Sequence, residues 1–513
     1  MKINNLKQLT VAAMLLLTAA NVSAKDNIDY VDPFIGTNFS VCNPGAVRPH
    51  GLMSVVPFNV MGSDINQWDK DKRWWSAPYE YNNKYFTGFA HVTLSGVGCP
   101  EMGTLLTMPT TGELNVDYRS YGSEYTDEVA HPGYYSNRLT KYGIRCEVTS
   151  TPRSSVERYT FPKGQGNLLF NLGNGLTNEI GATLRRVSDT EFEGFRLLGT
   201  FCYNPDAVFP MYFVVRVSKQ PKQSGYWKKQ PEMKGAAAEW DQYSGKYKLY
   251  PRYGRDIAGN DIGYYMTFDC AEETQVEVQV GVSFVSIANA RENLEAEQPV
   301  CDFNTVAREA RADWARTLDR VTVEGGTEEQ RRVFYTALYH TQIHPTVLQD
   351  VNGQYPKMEG DEILTTKGNR YTVFSLWDTY RNLSQLETLL YPDKQIDMVN
   401  SMIDMYKEWG WMPKWELFGR ETWTMEGDPS IPVITDTYLK GLPGIDIETA
   451  YRAFRTSATL PGKDNRMRPD IDSYYEKGYI PMGAYAADLS GDNSVSHALE
   501  YYVADNALSL LAG

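Results

Sequence analysis

Two short stretches of this chain set carboxylates among aromatic rings. Ser375-Leu376-Trp377-Asp378-Thr379-Tyr380-Arg381 places one acid between two rings and a base, and Trp415-Glu416-Leu417-Phe418-Gly419-Arg420-Glu421-Thr422-Trp423 does the same with two acids. Cleavage of a glycosidic bond uses such a setting, because one carboxyl must be held protonated by apolar surroundings while a second stays ionised. Rings also offer flat faces to the apolar sides of sugars. The plainer reading is that each acid pairs with an Arg or caps a helix, which is the commoner fate of acids beside aromatics. Competing chemistries find no support: the chain has no phosphate-binding Gly loop, no HExxH, no GxSxG and no dinucleotide fingerprint. Cys42, Cys99, Cys146, Cys202, Cys270 and Cys301 lie far apart without a CxxC pair, a spacing that does not suggest a zinc site. They leave room for one or two disulfides in an oxidising compartment, with the pairing open.

The elements that must position these residues change character along the chain. From about 29 to 287 the pattern is β. Short runs at 134–139, at 211–217 behind Pro210 and at 276–286 are rich in Val, Tyr, Phe and Ser, and Gly, Pro and Asn clusters separate them. Lys141-Tyr142-Gly143 reads as a hairpin turn. Many short strands with frequent turns argue for a large β-sandwich. Near 288 the period becomes helical, with Asn304 expected to cap a helix whose apolar face is Val306, Ala307, Ala310 and Trp314. A short extended piece, Val321-Thr322-Val323, ends at Gly325-Gly326. Thr327 and Gln330 then form a capping box, and helices are expected from there, at about 372–390, 393–409, 429–440, 446–459 and 494–512. Asp428 is the expected cap of the 429–440 helix and Gly441 its stop. The resulting plan is a leader at 1–24, a β-sandwich domain at 25–287, a helical linker at 288–326 and an array of helical hairpins at 327–513.

Charge and the first residues bound the setting. Lys2 and Lys7, an apolar run over 11–20 and Val22-Ser23-Ala24 make an export signal with a small-residue cleavage site. The run is too short for a bilayer, and no later stretch reaches the roughly 20 apolar residues a membrane helix needs. The expected mature chain is periplasmic or secreted and begins at Lys25. A net charge of −14 repels nucleic acid and anionic membranes.

Longer motifs carry a family resemblance. Val31-Asp32-Pro33-Phe34-Ile35-Gly36-Thr37, Gly88-Phe89-Ala90-His91-Val92-Thr93-Leu94-Ser95-Gly96-Val97-Gly98-Cys99, Thr151-Pro152-Arg153, Ala337-Leu338-Tyr339-His340-Thr341, and the stretches 374–381 and 419–441 together resemble glycoside hydrolase family 92, in the family's order over 29–513. The resemblance implies a multidomain α+β fold, an N-terminal β-sandwich followed by an (α/α) barrel of six hairpins. It also implies an exo-acting, calcium-dependent, inverting α-mannosidase acting on mannose-containing glycans such as N-glycans or mannans. Carried over by motif, Glu500 in Ala498-Leu499-Glu500-Tyr501 is the general acid. Trp377 and Asp378 contact the terminal mannose, with pairing to Arg381 as the structural alternative for Asp378. His91 and Glu421 lie in shared motifs as substrate contacts, with packing or capping as their alternative. The metal ligands stay unassigned.

Departures from the family pattern blur the linkage. Thr93 replaces a His, Arg420 replaces the Asn usual before Glu421-Thr422, and Ala504 precedes Asp505 where two acids are typical. The family's base lies in a Gly-Asn-Asp-Asp-like run expected past residue 513, and Gly259-Asn260-Asp261 lacks the flanking motif. About half of the barrel's helices are readable. The chain is therefore read as cut before its C-terminus, with apolar stripes left open, and is expected to be inactive and poorly stable alone. A glycan-binding protein without catalysis is the alternative from another class. A disaccharide phosphorylase or polysaccharide lyase of similar architecture is a third.

Overall fold

The computed structural model describes residues 25–39, 41–61, 76–233, 243–462, 464–483 and 493–513. The leader expected at 1–24 lies outside them. The first half of the chain forms two antiparallel sheets. One has eight strands and runs from Ala46–Val47 through Ser54–Phe58, Gly88–Thr93, Met102–Thr111, Gly164–Asn171, Ile262–Cys270 and Gln223–Lys229 to Tyr247–Pro251. The other has ten, with Val208–Val217, Thr274–Ser283 and Ser154–Phe161 at its centre. Alternation explains the stacking: Val276, Val278, Val280 and Val282 are all buried, as the period of two requires. Across the interface Phe192 lies 4.8 Å from Phe170 and 4.6 Å from Tyr264 of the facing sheet. The expected hairpin is present, with Leu139 opposite Ile144 and Gly143 in the left-handed region at φ 66°.

The residues after the sheets pack back onto them. Helix Ile287–Glu297 is capped by Ser286 and lays Ala290 and Leu294 on Val214. Gly281 permits that approach, because a Cβ there would meet the Ala290 carbonyl oxygen at 2.5 Å. Helix Phe303–Leu318 buries Phe303, Val306, Ala310, Trp314 and Leu318 at helical spacing. Its cap is Asp302 rather than Asn304, since the Asp302 carboxylate accepts from the Thr305 N–H. The Trp314 indole donates to the Val47 carbonyl at 2.7 Å and ties this helix to the sandwich edge. Val321-Thr322-Val323 joins no strand among the described residues. The Tyr335 hydroxyl instead donates to Val321 O and accepts from Val323 N, both at 3.1 Å.

Helix Glu328–Thr341 starts with the expected capping box. Beyond it lie Leu383–Leu390, Pro392–Trp409, Ser430–Leu439, Ile447–Thr459, Ile471–Lys477 and Ser494–Ala512. Met398, Met402, Ile403, Ile434, Phe454 and Ala504 share their core. The single helix expected over 372–390 is corrected. Tyr371–Thr372 and Phe374–Ser375 are strands, and helix resumes as Leu376–Thr379 and Leu383–Leu390. The cause is local: Val373 sits at φ 67°, and its N–H and the Thr372 hydroxyl bond Glu416 on a neighbouring strand. Helix Ile471–Lys477 is an addition to the sequence reading. Asp428 does not cap the helix after it, because its carboxylate accepts from Ser457 and pairs with Arg468. The last helix keeps Val495, Leu499, Tyr502 and Leu510 exposed along one side. No helix among the described residues is long and apolar enough to cross a membrane.

The two halves share one core. Trp415 packs on Phe201 at 4.5 Å, and Phe418 stacks on Phe284 at 4.2 Å beside Phe209. Burying one such Phe is worth roughly 1.5–3 kcal/mol. Cys99, in a loop of the sandwich, and Cys202, in the short 3-10 helix Phe201–Tyr203, form a disulfide, and Asn204, two residues on from Cys202, donates to the Thr422 carbonyl at 3.0 Å. Sandwich loops thus reach the aromatic-acid stretch of the helical half.

Candidate active site

The 374–381 stretch and the last helix meet at Glu500. Strand Phe374–Ser375 pairs with Trp415–Leu417 and launches the short helix Leu376–Thr379. That turn aims Trp377, Tyr380 and Arg381 at one carboxylate. The Trp377 indole donates to Glu500 Oε1 at 3.2 Å, Arg381 Nη2 to the same oxygen at 2.6 Å, and the Tyr380 hydroxyl to Oε2 at 2.7 Å. Burial, then the bond to Glu500, pushes the Tyr380 phenol up to about 12, so it remains a donor at any working pH. The Arg381 guanidinium lies over both rings, 4.9 Å from Trp377 and 4.8 Å from Tyr380. On the opposite side Gly427, at φ 80°, lets the backbone approach, since a Cβ there would sit 2.6 Å from the Glu500 Cβ. Glu500 is enclosed but reachable, with 14% of its side chain exposed against 45% for Arg381. Asp378 is exposed and accepts from the Ser375 hydroxyl. Its alternative, a pair with Arg381, gives way to the Arg381–Glu500 pair. Trp377 is half-buried next to it. Three of the sequence candidates therefore sit together, on two elements more than a hundred residues apart.

Glu421 lies deeper. Its carboxylate accepts from the backbone N–H groups of Lys414, Trp415 and Trp423 at 2.8, 2.9 and 2.9 Å, which folds the 414–423 stretch around it. It is buried, and burial pushes its carboxyl up against those three donors. The capping alternative describes this residue, and a direct substrate contact does not fit a side chain already satisfied inside a loop. Glu416, opposite it in the strand pair, bonds the Thr372 hydroxyl and the N–H groups of Val373 and Gly419. Burial raises Glu416 to about 7. This is the raised carboxyl the chemistry seeks, but it is 0% exposed and reaches no substrate.

His91 does not join the cluster. Its ring is wholly enclosed in the sandwich, with Nδ1 2.7 Å from the Leu105 carbonyl and Nε2 2.6 Å from Glu157. The packing alternative holds here, because both nitrogens are used and neither meets solvent. Gly259 ends the strand Ile257–Gly259 of the sandwich and Asp261 lies in the bend before the strand Ile262–Cys270, where it accepts from the Tyr247 hydroxyl.

Sequence reasoning left the supports of Glu500 unassigned. Arg468 is fully buried, pairs with Asp428 and Asp505, and lies 4.8 Å from the Tyr501 ring. Tyr501 in turn donates to Asp470, and Tyr474 to Asp505. This network pins the helix one residue and five residues after Glu500. A spacing signal existed only on the helix, where Tyr501 and Asp505 follow the acid. Arg468 and Asp428 carry none. Among the described residues no group of three or more His, Cys, Asp or Glu side chains gathers as cation ligands.

Comparison with known proteins fits this layout. The chain matches the glycosyl hydrolase family 92 N-terminal domain over residues 30–283 and the glycosyl hydrolase family 92 catalytic domain over residues 289–513. It superposes on the family GH92 alpha-mannosidase BT3965 from Bacteroides thetaiotaomicron with a TM-score of 0.82 and 28% identity, covering 95% of this chain and 63% of that one. The same enzyme in complex with mannoimidazole gives 0.81, with 95% and 61% covered. In sequence the chain is 25% identical to an "uncharacterized secreted glycosidase" of Arthroderma benhamiae, across 98% of this chain and 62% of that protein. It thus spans a little under two thirds of the length of these relatives. The two domain matches together account for nearly the whole described chain, and the chain belongs to glycoside hydrolase family 92.

Proposed function

We propose that this protein is an exported α-mannosidase that removes terminal α-linked mannose from glycans by an inverting route, with Glu500 as its general acid. The observation that carries the reading is the convergence of Trp377, Tyr380 and Arg381 on a partly accessible Glu500. The likeness to an α-mannosidase solved with mannoimidazole supports the sugar. In this reading Trp377 supplies a ring face, and the exposed Asp378 accepts sugar hydroxyls. Trp377 and Arg381 both donate to Glu500 Oε1 and Tyr380 to Oε2, so a leaving group reaches the carboxyl only by displacing one of these donors. Arg381 is the more exposed partner and the one free to swing. Tyr380 then holds the other oxygen and fixes the orientation. Base catalysis is assigned to no residue of this chain. Calcium rests on the family resemblance alone, and no step is routed through it.

A second reading, glycan binding without turnover, draws on the same cluster: a carboxyl whose two oxygens already accept from Trp377, Arg381 and Tyr380 has no oxygen free for a leaving group. One experiment separates the two and tests the stereochemistry. Proton NMR during hydrolysis of an α-mannoside should show β-mannose first, with α-mannose appearing only by mutarotation. Initial release of α-mannose would overturn inversion, and binding without release by a form that also carries the family's base motif would favour the second reading. Export is part of the proposal, and a secreted form that retains Met1 by mass spectrometry would contradict it.

A further inference from the structure

A cleft of about 290 Å³ lies away from Glu500, where the sandwich, the helix Phe303–Leu318 and the helical half meet. Arg48 comes from the sandwich, Asp313, Arg316 and Arg320 from the end of that helix and just beyond it, and Tyr391 and Lys394 from the start of helix Pro392–Trp409. Four cationic side chains and one anionic one therefore line a single opening on a protein whose net charge is −14. Asp313 pairs with both Arg48 and Arg316 and leaves the excess unanswered. Arg320 has no ion pair among the described residues. Arg48 is 8% exposed, yet its Nε has no hydrogen-bond partner. The Lys394 ammonium lies over the Tyr391 ring at 5.5 Å and makes one long contact of 3.4 Å to the Gln342 amide oxygen, with no ion pair within 4.0 Å among the described residues.

We propose that this cleft binds a compact tetrahedral oxyanion, a phosphate or sulfate group, either free or esterified to a sugar. Separated guanidinium and ammonium groups from three elements suit an anion with several acceptor oxygens. The positive end of the Pro392–Trp409 helix dipole adds to them, because that helix begins at the cleft wall. Burial brings the Lys394 ammonium down to about 8, with Glu387 opposing the shift and Arg320 adding to it. Glu387 answers part of the Lys394 charge, and an anion in the cleft would answer what remains of the cationic excess. The Tyr391 hydroxyl donates to the Thr317 carbonyl at 2.9 Å, so the walls are already joined and the site needs little reorganisation.

The test is thermal unfolding of the purified protein with inorganic phosphate, sulfate, mannose 6-phosphate, mannose or acetate, at ionic strength fixed with KCl. A ligand that bridges three elements of the folded state should raise Tm saturably, by about 2 °C or more. Arg320→Ala should weaken that rise, and this side chain is exposed, so its truncation leaves folding intact. Lys394→Met should weaken it as well. A rise with inorganic phosphate assigns a free ion, and a rise with mannose 6-phosphate alone assigns an ester. No rise beyond KCl, an equal rise with acetate, or an undiminished rise in Arg320→Ala would overturn the proposal.

Discussion

Gly427→Ala is the sharpest probe of how the backbone builds the Glu500 site. Gly427 is at φ 80°, and a Cβ there would meet Glu500 Cβ at 2.6 Å and Cγ at 3.3 Å. Two costs add. A side chain in the left-handed region costs roughly 1–2 kcal/mol, and overpacking costs roughly 1–3 kcal/mol more. Gly441 separates them, because it sits at φ 83° with open space where its Cβ would go. Gly441→Ala should therefore lose about 1–2 kcal/mol and keep full activity. Gly427→Ala should lose about 2–5 kcal/mol by denaturant unfolding. Relieving the contact also requires the helix bearing Glu500 to move by about 1 Å, a displacement worth on the order of 10²-fold in rate. The assays are unfolding midpoints and, in the active enzyme, kcat/KM for both variants. Equal stability and equal kcat/KM would refute the claim that close backbone approach at Gly427 places Glu500.

Three further outcomes are expected. His50 is buried and His340 and His344 are half-buried, and desolvation lowers them to about 3, 4 and 4, below the roughly 6.5 of an unfolded chain. Their contribution is complete above pH 6.5 and is lost as pH falls, by about 2 kcal/mol per histidine at pH 5. An unfolding midpoint that does not fall between pH 7 and pH 5 would contradict this. The Cys99–Cys202 disulfide closes a separation of 103 residues, so Cys99→Ser should cost about 2–5 kcal/mol, and an unchanged Tm would exclude that role. Calcium, proposed from the family, predicts activity lost to a chelator and restored by added calcium, whereas full activity after exhaustive chelation removes it from the account.

Legibility in the sequence followed how local each signal was. The hairpin at Lys141-Tyr142-Gly143 and the Thr327–Gln330 capping box depend on neighbours within a few residues, and both are present. The break in the 372–390 helix was hidden because its cause is Glu416, more than forty residues away. Asp428 misled for a related reason: Arg468 and Ser457, distant in sequence, claim a carboxylate that local rules give to a helix start. Trp377, Asp378 and Glu500 came from motifs, and the structure brings them together. His91 and Glu421 came from motifs too. Burial makes one a strut of the sandwich and the other the centre of a loop. No local pattern separates a shared residue that touches a ligand from one that shapes the fold around it.

The role of Glu500 is the central claim, and a leaving-group comparison tests it most directly. Protonation by a general acid matters most when the departing group is a poor one. Glu500→Gln keeps the size of the side chain and an oxygen for Tyr380 or Arg381, but it cannot give up a proton to the glycosidic oxygen. In the active enzyme this variant should lose most of its kcat/KM on a mannobiose, by roughly 10²–10⁴-fold. It should retain far more on an aryl α-mannoside with an acidic phenol, whose leaving group needs no proton. Equal losses on the two substrates would mean that Glu500 only binds or braces, and the assignment of the general acid would fall.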